Sequence, residues 1–599
     1  MSVNIFNSVK GLHPKRNKFT ADTYRNDFTA PLGVNIPCFW AELPPATRFK
    51  VSASALVRLQ ALIAPVMDNI DYYVHFWKLP YRLIENDLFT QFLSGEIQPE
   101  EYNALFCTPY ELAQAVERVI PSAEGGSTAG KIDCYNKIFG NGSLLDFLGY
   151  DSGLFPTLSY VQVDDAFVLS GGNNITKLNW RGLIAYFMIH QNWYMNENVE
   201  YFDNFLLLVE KLVKNQELAS LAELLYATTH MTNNYVCMLP HGWDKDYFTS
   251  ALPNVQFGEP VSLPIAGSAP VSLQYLSDNI QISDPKVVLG GSINPGNAGT
   301  LQAFNNSGVV SGGPFDISDD VMNSPLQALY GSFGPRTSGQ PVGSGTADLS
   351  EATAITINEL RFANALQVFK ERQMRFGRRR LEYYKGFFDV EPEDLRLQVP
   401  KYLGGGRIPI NISDIEQTSS TEGSQALGRL AGKATAVAGG FAGFSTFCSE
   451  ETYIIGIAFA MPHITYSQQV SRFRLKTNDP YDYFNPSFEH LGEQPILNIE
   501  VFAGSNNPSG EFGYTPRFTE YRFHNNEMHG AFKDSLSFWT LGRIFDSQPA
   551  LNADFVYMQP KVFDRIFAVD GQPNMLVSML FHTRAIKPVS KYGTPMLLA

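Results

Sequence analysis

Charged residues are scarce in this sequence, at 17% of 599 positions against about 25% in typical soluble domains. Such a chain has little charge with which to cover its surface, whereas its aromatic fraction is 13%, including 44 Phe and 28 Tyr. Interfaces between permanently associated subunits are apolar and rich in aromatic side chains. The composition therefore favours a protein that assembles, and a large aromatic-rich β protein that stays monomeric is the alternative.

Cysteine is rare, and its spacing matches no common site. The five cysteines lie far apart, are odd in number and form no CxxC pair: Cys38, Cys107, Cys134, Cys237 and Cys448. This spacing argues against a disulfide framework and against a zinc site. It fits synthesis in a reducing compartment.

Long apolar runs are missing. No stretch approaches the ~20 consecutive apolar residues of a membrane-spanning helix. The nearest run, residues 453–461, is short, is bounded by Glu451 and Pro462, and is typical of a buried strand. Residues 1–20 carry Lys and Arg without an apolar stretch, so we expect no secretory signal. We therefore predict no membrane insertion.

Motifs that carry catalysis or hold a cofactor are also missing. The ten histidines form no HExxH or HxxxH pattern, and no GxSxG occurs. Residues 428–434 resemble a phosphate loop, but their glycines are one residue too close, and Ala434 stands where Ser or Thr would hold magnesium. We therefore predict no catalytic residue, no metal and no cofactor.

The net charge is −14, so the surface as a whole cannot bind DNA through Lys and Arg. Two basic clusters stand out against this balance, in residues 1–20 and 370–385. The candidate DNA-binding residues are Lys10, Lys15, Arg16, Lys18, Arg378, Arg379 and Arg380. Tyr383 and Tyr384 adjoin the second cluster, and aromatics beside Arg suit single-stranded bases. The alternative is a helix end whose cations complement the helix dipole, followed by a solvated turn.

Alternation of apolar and polar residues predicts strands at both ends of the chain. From Phe49 to Leu59 the odd positions are apolar, and the even positions include Lys50 and Arg58. A second strand follows at residues 70–76. Beyond Val390 further strands are predicted at residues 407–412, 453–461, 495–502, 518–524 and 575–581.

Helices are predicted between these β regions. Thr108-Pro109 opens one, and residues 180–193 and 204–226 have helical apolar spacing. Residues 356–359 form a capping box before another helix. The stretch 286–346 is rich in glycine and predicts a long loop, the alternative being a linker between two domains. Strands at both ends favour one β domain closed by its two termini.

Several segments together are similar to one protein family. They are Leu43-Pro44-Pro45, Phe49-Lys50-Val51, Pro80-Tyr81-Arg82-Leu83, Asn192-Trp193-Tyr194, the highly specific residues 246–253, Tyr402-Leu403-Gly404-Gly405 and Pro516-Arg517-Phe518. In this order and spacing they resemble the major capsid proteins of the microviruses, and most closely the gokushovirus-like branch. The resemblance covers nearly the whole chain, but residues 199–240 are longer than the usual pattern.

The resemblance implies a mainly β fold: an eight-stranded antiparallel jelly roll of the viral capsid type, with long helical and loop insertions. We expect an N-terminal arm at residues 1–30 and a single jelly-roll capsid domain at residues 31–599. Its insertions would lie at about residues 83–245, which are helical, and at about residues 265–350. The second insertion is the Gly-rich outer loop, expected as a protrusion at the threefold axes.

The resemblance also implies an assembly. Pentamers would build a T=1 icosahedral shell of sixty copies around circular single-stranded DNA, formed in the bacterial cytoplasm and located in the virion. The implied partners are an internal scaffolding protein, a DNA pilot protein, a small basic DNA-binding protein and a host surface receptor. The alternative function is a secreted or surface carbohydrate-binding or carbohydrate-active β protein, against which the missing secretory signal and carboxylate pair weigh.

Overall fold

The computed structural model describes residues 15–86, 88–98, 105–124, 127–161, 166–199, 205–233, 235–256, 258, 268–274, 303–305, 308–310, 341–348, 357–376, 380–390, 397–416, 430–477, 479–569 and 571–591. Two compact units divide the chain. The first consists of Met1–Phe257 and Lys370–Ala599, and the second consists of Gly258–Phe369.

The first unit is built on a sheet whose eight strands come from both ends of the chain. They are β1 (Asn17–Ala30), β2 (Ile36–Leu43), β3 (Thr47–Leu59), β4 (Ile70–Pro80), β5 (Lys401–Glu416), β6 (Leu430–Cys448), β7 (Thr452–Pro462) and β8 (Met575–Lys587). The alternation predicted from Phe49 is confirmed, because buried and less buried residues alternate along β3. Residues 17–30 of the segment predicted as an N-terminal arm form strand β1, which pairs with β8, and residues 1–14 lie outside the described residues.

The order of the strands makes two halves. The sheet runs β1-β8-β3-β6-β5-β4-β7-β2, and each neighbouring pair is antiparallel. Strand β5 joins the halves, because its residues 401–410 pair with β4 whereas residues 411–416 pair with β6.

The two halves face each other across an aromatic core. The ring centroids of Phe39 in β2 and Phe581 in β8 are 4.9 Å apart. Those of Phe76 in β4 and Phe444 in β6 are 5.0 Å apart. Inner faces whose side chains interdigitate in this way form a β-sandwich. The jelly-roll fold implied by the resemblance is confirmed.

The glycine run Gly404-Gly405-Gly406 lies inside β5 and lets this strand approach its neighbours. A Cβ at Gly405 would lie 2.4 Å from the carbonyl oxygen of Val74. A Cβ at Gly406 would lie 2.1 Å from that of Phe441. The run is therefore a packing requirement of the sheet, where only glycine fits between close backbones.

Helices lie in the long connection between β4 and β5. The longer ones are α1 (Pro109–Val119), α2 (Thr128–Phe139), α3 (Arg181–Ile189), α4 (Phe205–Asn215), α5 (Leu218–Met231), α6 (Ile357–Phe376) and α7 (Arg380–Phe388). Short helices in the same connection are Tyr81–Ile84, Leu88–Ser94 and Leu144–Phe147, and those between β7 and β8 are Asn498–Val501 and Ala553–Val556. The predicted start of α1 is confirmed, because Thr108 and Glu111 form a reciprocal capping box. The helix predicted at residues 180–193 is confirmed as α3 with a π-helical turn, His190–Tyr194.

The single helix predicted at residues 204–226 is wrong, because the chain breaks between α4 and α5 at Gln216. This residue has a φ of +54°. Its side-chain amide donates to the carbonyl oxygen of Ile84 at 2.9 Å and accepts from the backbone N–H of Leu105 at 3.2 Å. Buried polar groups need such partners. Partners more than a hundred residues away fix the break, and apolar spacing cannot reveal them.

The two outer faces of the sandwich differ in what covers them. On the half that contains β4, a ring nitrogen of His75 lies 3.0 Å from the hydroxyl of Tyr194. On the same face the rings of Trp77 and Trp193 are 4.9 Å apart. The α3 region therefore covers this half. On the half that contains β3, the outward positions of the strand are exposed or partly exposed.

The chain between β7 and β8 builds a second, smaller core with residues 247–251. Its members include Phe248, Tyr466, Ile496 and Phe512. The carboxylate of Asp246 accepts hydrogen bonds from the backbone N–H of Phe248 at 2.9 Å and from the hydroxyl of Tyr466 at 2.7 Å. The highly specific segment 246–253 thus ties this core together.

Two strands predicted in this region are wrong. Residues 495–502 contain only the end of a strand, Glu493–Leu497, before the helix Asn498–Val501. Residues 518–524 contain a 3-10 turn, Thr519–Tyr521, because Phe518 has a left-handed φ of +63° and breaks the extended backbone.

The remaining described elements are short. Paired strands are Phe106–Cys107 with Leu178–Asn179, Thr157–Val161 with Ala166–Ser170, and Glu493–Leu497 with Glu511–Pro516. Further 3-10 turns are Ser152–Leu154, Arg472–Arg474, Pro480–Asp482, Pro486–Phe488, Gly530–Lys533, Ser537–Trp539 and Pro560–Ile566. In the second unit Ser268–Gln274 pairs with Pro341–Asp348, and Ala303–Asn305 pairs with Gly308–Val310. Most of the predicted insertion at residues 265–350 lies outside the described residues.

Candidate nucleic-acid interface

The outer face of the half that contains β3, which no described helix covers, carries a row of cations. In β3 the apolar side chains of Phe49 and Val51 point into the core, so Arg48 and Lys50 point outward. Strand β8 places Arg584 directly opposite Lys50. Residues that lie opposite each other in antiparallel strands have Cβ atoms about 5 Å apart. Cations that are distant in sequence are therefore neighbours on this face.

The start of β1 extends this row. Lys18 pairs with Ile586 of β8, which in turn lies opposite Arg48 of β3. We call the set the cationic face: Arg16, Lys18, Arg48, Lys50 and Arg584. All five residues are exposed. Among the described residues, no ion pair involves any of them.

An exposed aromatic ring lies within the cationic face. Phe447 of β6 lies opposite Arg48 in the sheet and is 47% exposed. The guanidinium carbon of Arg16 lies 5.9 Å from the centroid of its ring. Single-stranded nucleic acids are bound by grooves or faces that combine cations for phosphates with aromatic rings for bases. The arrangement fits such a ligand.

One described carboxylate of this half is bound within its own strand. Asp27 of β1 lies opposite Ser578 of β8 and is bound by Arg25 of its own strand at 2.6 Å. Farther along the same outward face are two further exposed cations, Arg58 of β3 and Lys433 of β6. Arg58 lies opposite Thr435 of β6. A basic face whose cations make no ion pair among the described residues, in a chain of net charge −14, is a concentrated site for an anionic partner.

Some of the predicted DNA-binding residues lie in the described part of the chain and others lie outside it. Lys15 and Arg16 immediately precede β1, and Lys18 lies at its start, where β1 pairs with β8. Lys10, Arg378 and Arg379 lie outside the described residues. Arg380 begins α7, and its side chain is also outside the described part.

Sequence reasoning missed Arg48, Lys50 and Arg584. Each strand contributes only one or two of these charges, so none of them forms a cluster along the chain. The available signal was the polar phase of the alternation in β3, which already placed Lys50 and Arg58 on one face. Only the strand register brings Arg584 to the same place.

The thiols are unsuited to nucleophilic chemistry. All five cysteines are buried and unpaired. Burial raises the pKa of Cys107 to about 11 and that of Cys237 to about 12. The thiolate is the reactive form, so these thiols are inert near neutral pH.

In the described part of the chain, no three His, Cys, Asp or Glu side chains gather as metal ligands would. Among the described helices, none has the length and apolar character to cross a bilayer.

Comparison with known proteins finds relatives that match nearly the whole chain. A family model described as capsid protein (F protein) matches residues 7–115 and 155–597. The chain is 30% identical to the capsid protein VP1 of Bdellovibrio phage phiMH2K, over 98% of this chain and 97% of that protein. It is 28% identical to the capsid protein VP1 of Chlamydia phage 1, over 94% and 92%. It is 26% identical to the capsid protein VP1 of Spiroplasma virus 4, over 99% and 98%.

Proposed function

Since the chain belongs to the capsid protein (F protein) family of phages, we propose that it assembles into a closed T=1 icosahedral shell around circular single-stranded DNA. It is a structural capsid protein of the virion and not an enzyme, which sets aside the carbohydrate-active alternative. The resemblance to the gokushovirus-like branch is confirmed. Beyond membership of this family, we propose the geometry of the shell, the nucleic acid inside it and the face of the subunit that contacts that nucleic acid.

The composition supports assembly into a shell. A shell subunit meets several neighbours, and each standard interface buries roughly 800 Å² per partner. The low charged fraction of 17% and the many aromatic residues suit a chain that hides much of its surface against copies of itself. Purified particles examined by negative-stain electron microscopy should be uniform closed shells. A strictly monomeric protein at high concentration would contradict the proposal.

The observation that carries the DNA contact is the cationic face. It is exposed and, within the described ranges of the chain, its cations have no carboxylate partners and no helix covers its half of the sandwich. We place this face toward the interior of the shell, where phosphates supply the missing counter-charge. Lys10 and Arg378–Arg380 remain part of the proposed DNA contact, as sequence candidates.

Reversing two charges on the cationic face should weaken DNA binding. Arg48→Glu combined with Lys50→Glu is expected to lower the affinity for a single-stranded oligonucleotide at least tenfold in low salt. Each lost phosphate contact makes a plot of log affinity against log salt shallower by about 0.7, so the slope should fall by about 1.4 or more. Fluorescence anisotropy across a salt series measures both quantities.

The matched control for this experiment is Lys211→Glu combined with Lys561→Glu. Both lysines are exposed and lie outside the cationic face, so the change in net charge is identical. The control should retain most of the affinity and nearly the full salt slope. Equal losses in the two variants would show a response to net charge alone and would remove the cationic face from the proposal.

We also propose that the chain binds the partners that the resemblance implies. They are an internal scaffolding protein, a DNA pilot protein, a small basic DNA-binding protein and a host surface receptor. A small basic protein would supply positive charge that this acidic chain lacks. We also propose that residues 31–599 act as one jelly-roll capsid domain with an outer loop at residues 265–350 that contacts the host.

A further inference from the structure

A cluster of exposed aromatic side chains lies in the chain segment between β7 and β8. We define the aromatic patch as Phe473, Tyr481, Tyr483, Phe484, Leu491, Tyr521 and Phe523, which are 40–63% exposed. Three of its rings contact one another: the centroids of Phe473 and Tyr521 are 5.0 Å apart, and those of Phe484 and Tyr521 are 5.9 Å apart. These three rings form the joined centre of the patch, and the other four side chains lie near them in the sequence.

A buried ion pair supports the patch from beneath. Lys476 binds Glu520 at 2.6 Å, and their side chains are 2% and 5% exposed. The Nζ of Lys476 lies 4.4 Å from the ring centroid of Tyr521 and 5.1 Å from that of Phe473. The backbone carbonyl of Lys476 also accepts a hydrogen bond from the hydroxyl of Tyr483 at 3.1 Å. The exposed rings are thus held in place before any partner arrives, which lowers the entropic cost of binding.

The backbone beneath the patch is strained. Phe518 is 1% exposed and has a φ of +63°, which a bulky residue rarely adopts. Its N–H donates to the side-chain oxygen of Gln494 at 3.1 Å, and Gln494 donates to Glu520 at 2.7 Å. Strain of this kind persists where surrounding contacts enforce it, and it concentrates at functional positions.

The composition of the patch and its border matches a subunit interface. Tyr, Phe and Arg are enriched in the buried centres of interfaces, and charged pairs occupy the rim. Here the rim contains Arg522, which binds Glu489 at 3.0 Å with both side chains partly exposed. Arg517 lies with its guanidinium 5.1 Å from the ring of Phe518 and donates to the carbonyl of Tyr481 at 3.1 Å.

The area of the patch is that of one side of a stable contact. Large aromatic side chains offer roughly 200 Å² each. Six aromatic side chains that are about half exposed therefore leave on the order of 600 Å², to which Leu491 adds, and the sum approaches the ~800 Å² that each partner buries in a standard interface. Exposed apolar surface of more than a few hundred Å² commonly marks an interaction site.

We propose that the aromatic patch is covered by a second copy of this chain in the assembled shell. This inference rests on the proposed function, because a shell places copies of the chain side by side. The match between the patch and one half of a standard interface favours a folded neighbour of this kind. A scaffolding protein or a receptor is an alternative occupant that the experiment separates.

Placing charge on the patch should block assembly without unfolding the subunit. Tyr481 and Leu491 are the most suitable positions, at 61% and 63% exposure. The double variant Tyr481→Lys/Leu491→Lys is expected to raise the concentration at which half of the chain assembles at least tenfold, measured by sedimentation velocity. The matched control is Leu93→Lys/Ile175→Lys, whose side chains are 58% and 93% exposed and lie outside the patch. Assembly of the patch variant at the parental concentration would overturn the inference.

Hydroxyl-radical footprinting of the unaltered protein supplies an independent test. Oxidation of Tyr481, Tyr483 and Phe484 should fall at least fivefold between dissociated subunits and DNA-filled particles. Equal labelling would overturn the inference, as would protection seen only in particles that still contain a scaffolding protein. Failure of the proposed function looks different, because the unaltered chain would then form no shell in any of these experiments.

Discussion

Lys476→Met is expected to lower the free energy of unfolding of the unassembled subunit by about 3–5 kcal/mol, because it leaves a buried carboxylate without its partner. Glu520 is 6% exposed as a residue, and its two oxygens accept from Lys476 and from Gln494. Burial opposes ionisation of Glu520, but these hydrogen bonds outweigh it and lower its pKa. Urea unfolding at constant m-value measures the loss.

The exposed pair formed by Lys214 and Glu210 provides the matched control. Their side chains are 64% and 52% exposed, and surface pairs of this kind are worth about 0–1 kcal/mol. Lys214→Met should therefore change little. Adding Glu520→Leu to Lys476→Met should recover part of the loss, because the unpaired charge disappears. Equal effects of the two Lys→Met substitutions would show that the burial of Lys476 has no energetic consequence.

The pH dependence of the Lys476–Glu520 pair has a definite sign. The folded pKa of Glu520 is lowered, so its contribution is fully present above the ordinary carboxyl pKa and is lost as the pH falls below it. The loss from Lys476→Met should therefore be constant at neutral pH and should shrink in strong acid.

Mild acid is expected to destabilise the sandwich through two partly buried histidines, His75 and His241. Burial lowers the pKa of His75 from 6.5 to about 4. Burial also lowers the pKa of His241, and the nearby His75 and His190 add to that effect. Between these pKa values the unfolded chain binds a proton that the folded chain does not, so stability falls as the pH falls below about 6.5. The contribution of His75 is about 2 kcal/mol at pH 5 and about 3 kcal/mol at pH 4.

His75→Gln isolates this contribution from the other titrating groups. The variant should lose some stability at pH 7, because the ring contacts of His75 with Tyr194 and Phe459 are removed. Its stability should then fall less steeply than that of the parent between pH 7 and pH 5. His490→Gln, at an exposed position, should keep the parental slope. Parallel pH curves for the parent and His75→Gln would refute the prediction.

Local patterns predicted much of the sandwich. The alternation of β3 and the apolar run of β7 depend on which side chains face a core, and that information is local. The capping box at Thr108 is equally local. The wrong predictions fall where a distant contact overrides the local pattern, as at Gln216, whose amide is bound by Ile84 and Leu105. Phe518 is a second example, because its left-handed backbone adjoins the buried pair of Glu520 and Lys476.

The amino-acid sequence by itself determined the family, the mainly β class, the absence of recognisable catalytic motifs and the basic character of the N-terminal segment. Tertiary structure alone decided which cations share a face and which aromatic rings remain exposed. The physical reason is the sheet register, which sets Arg584 opposite Lys50 across more than five hundred residues of chain. The alternation within one strand shows which of its side chains point outward. Only the pairing with neighbouring strands shows which side chains of other strands lie beside them.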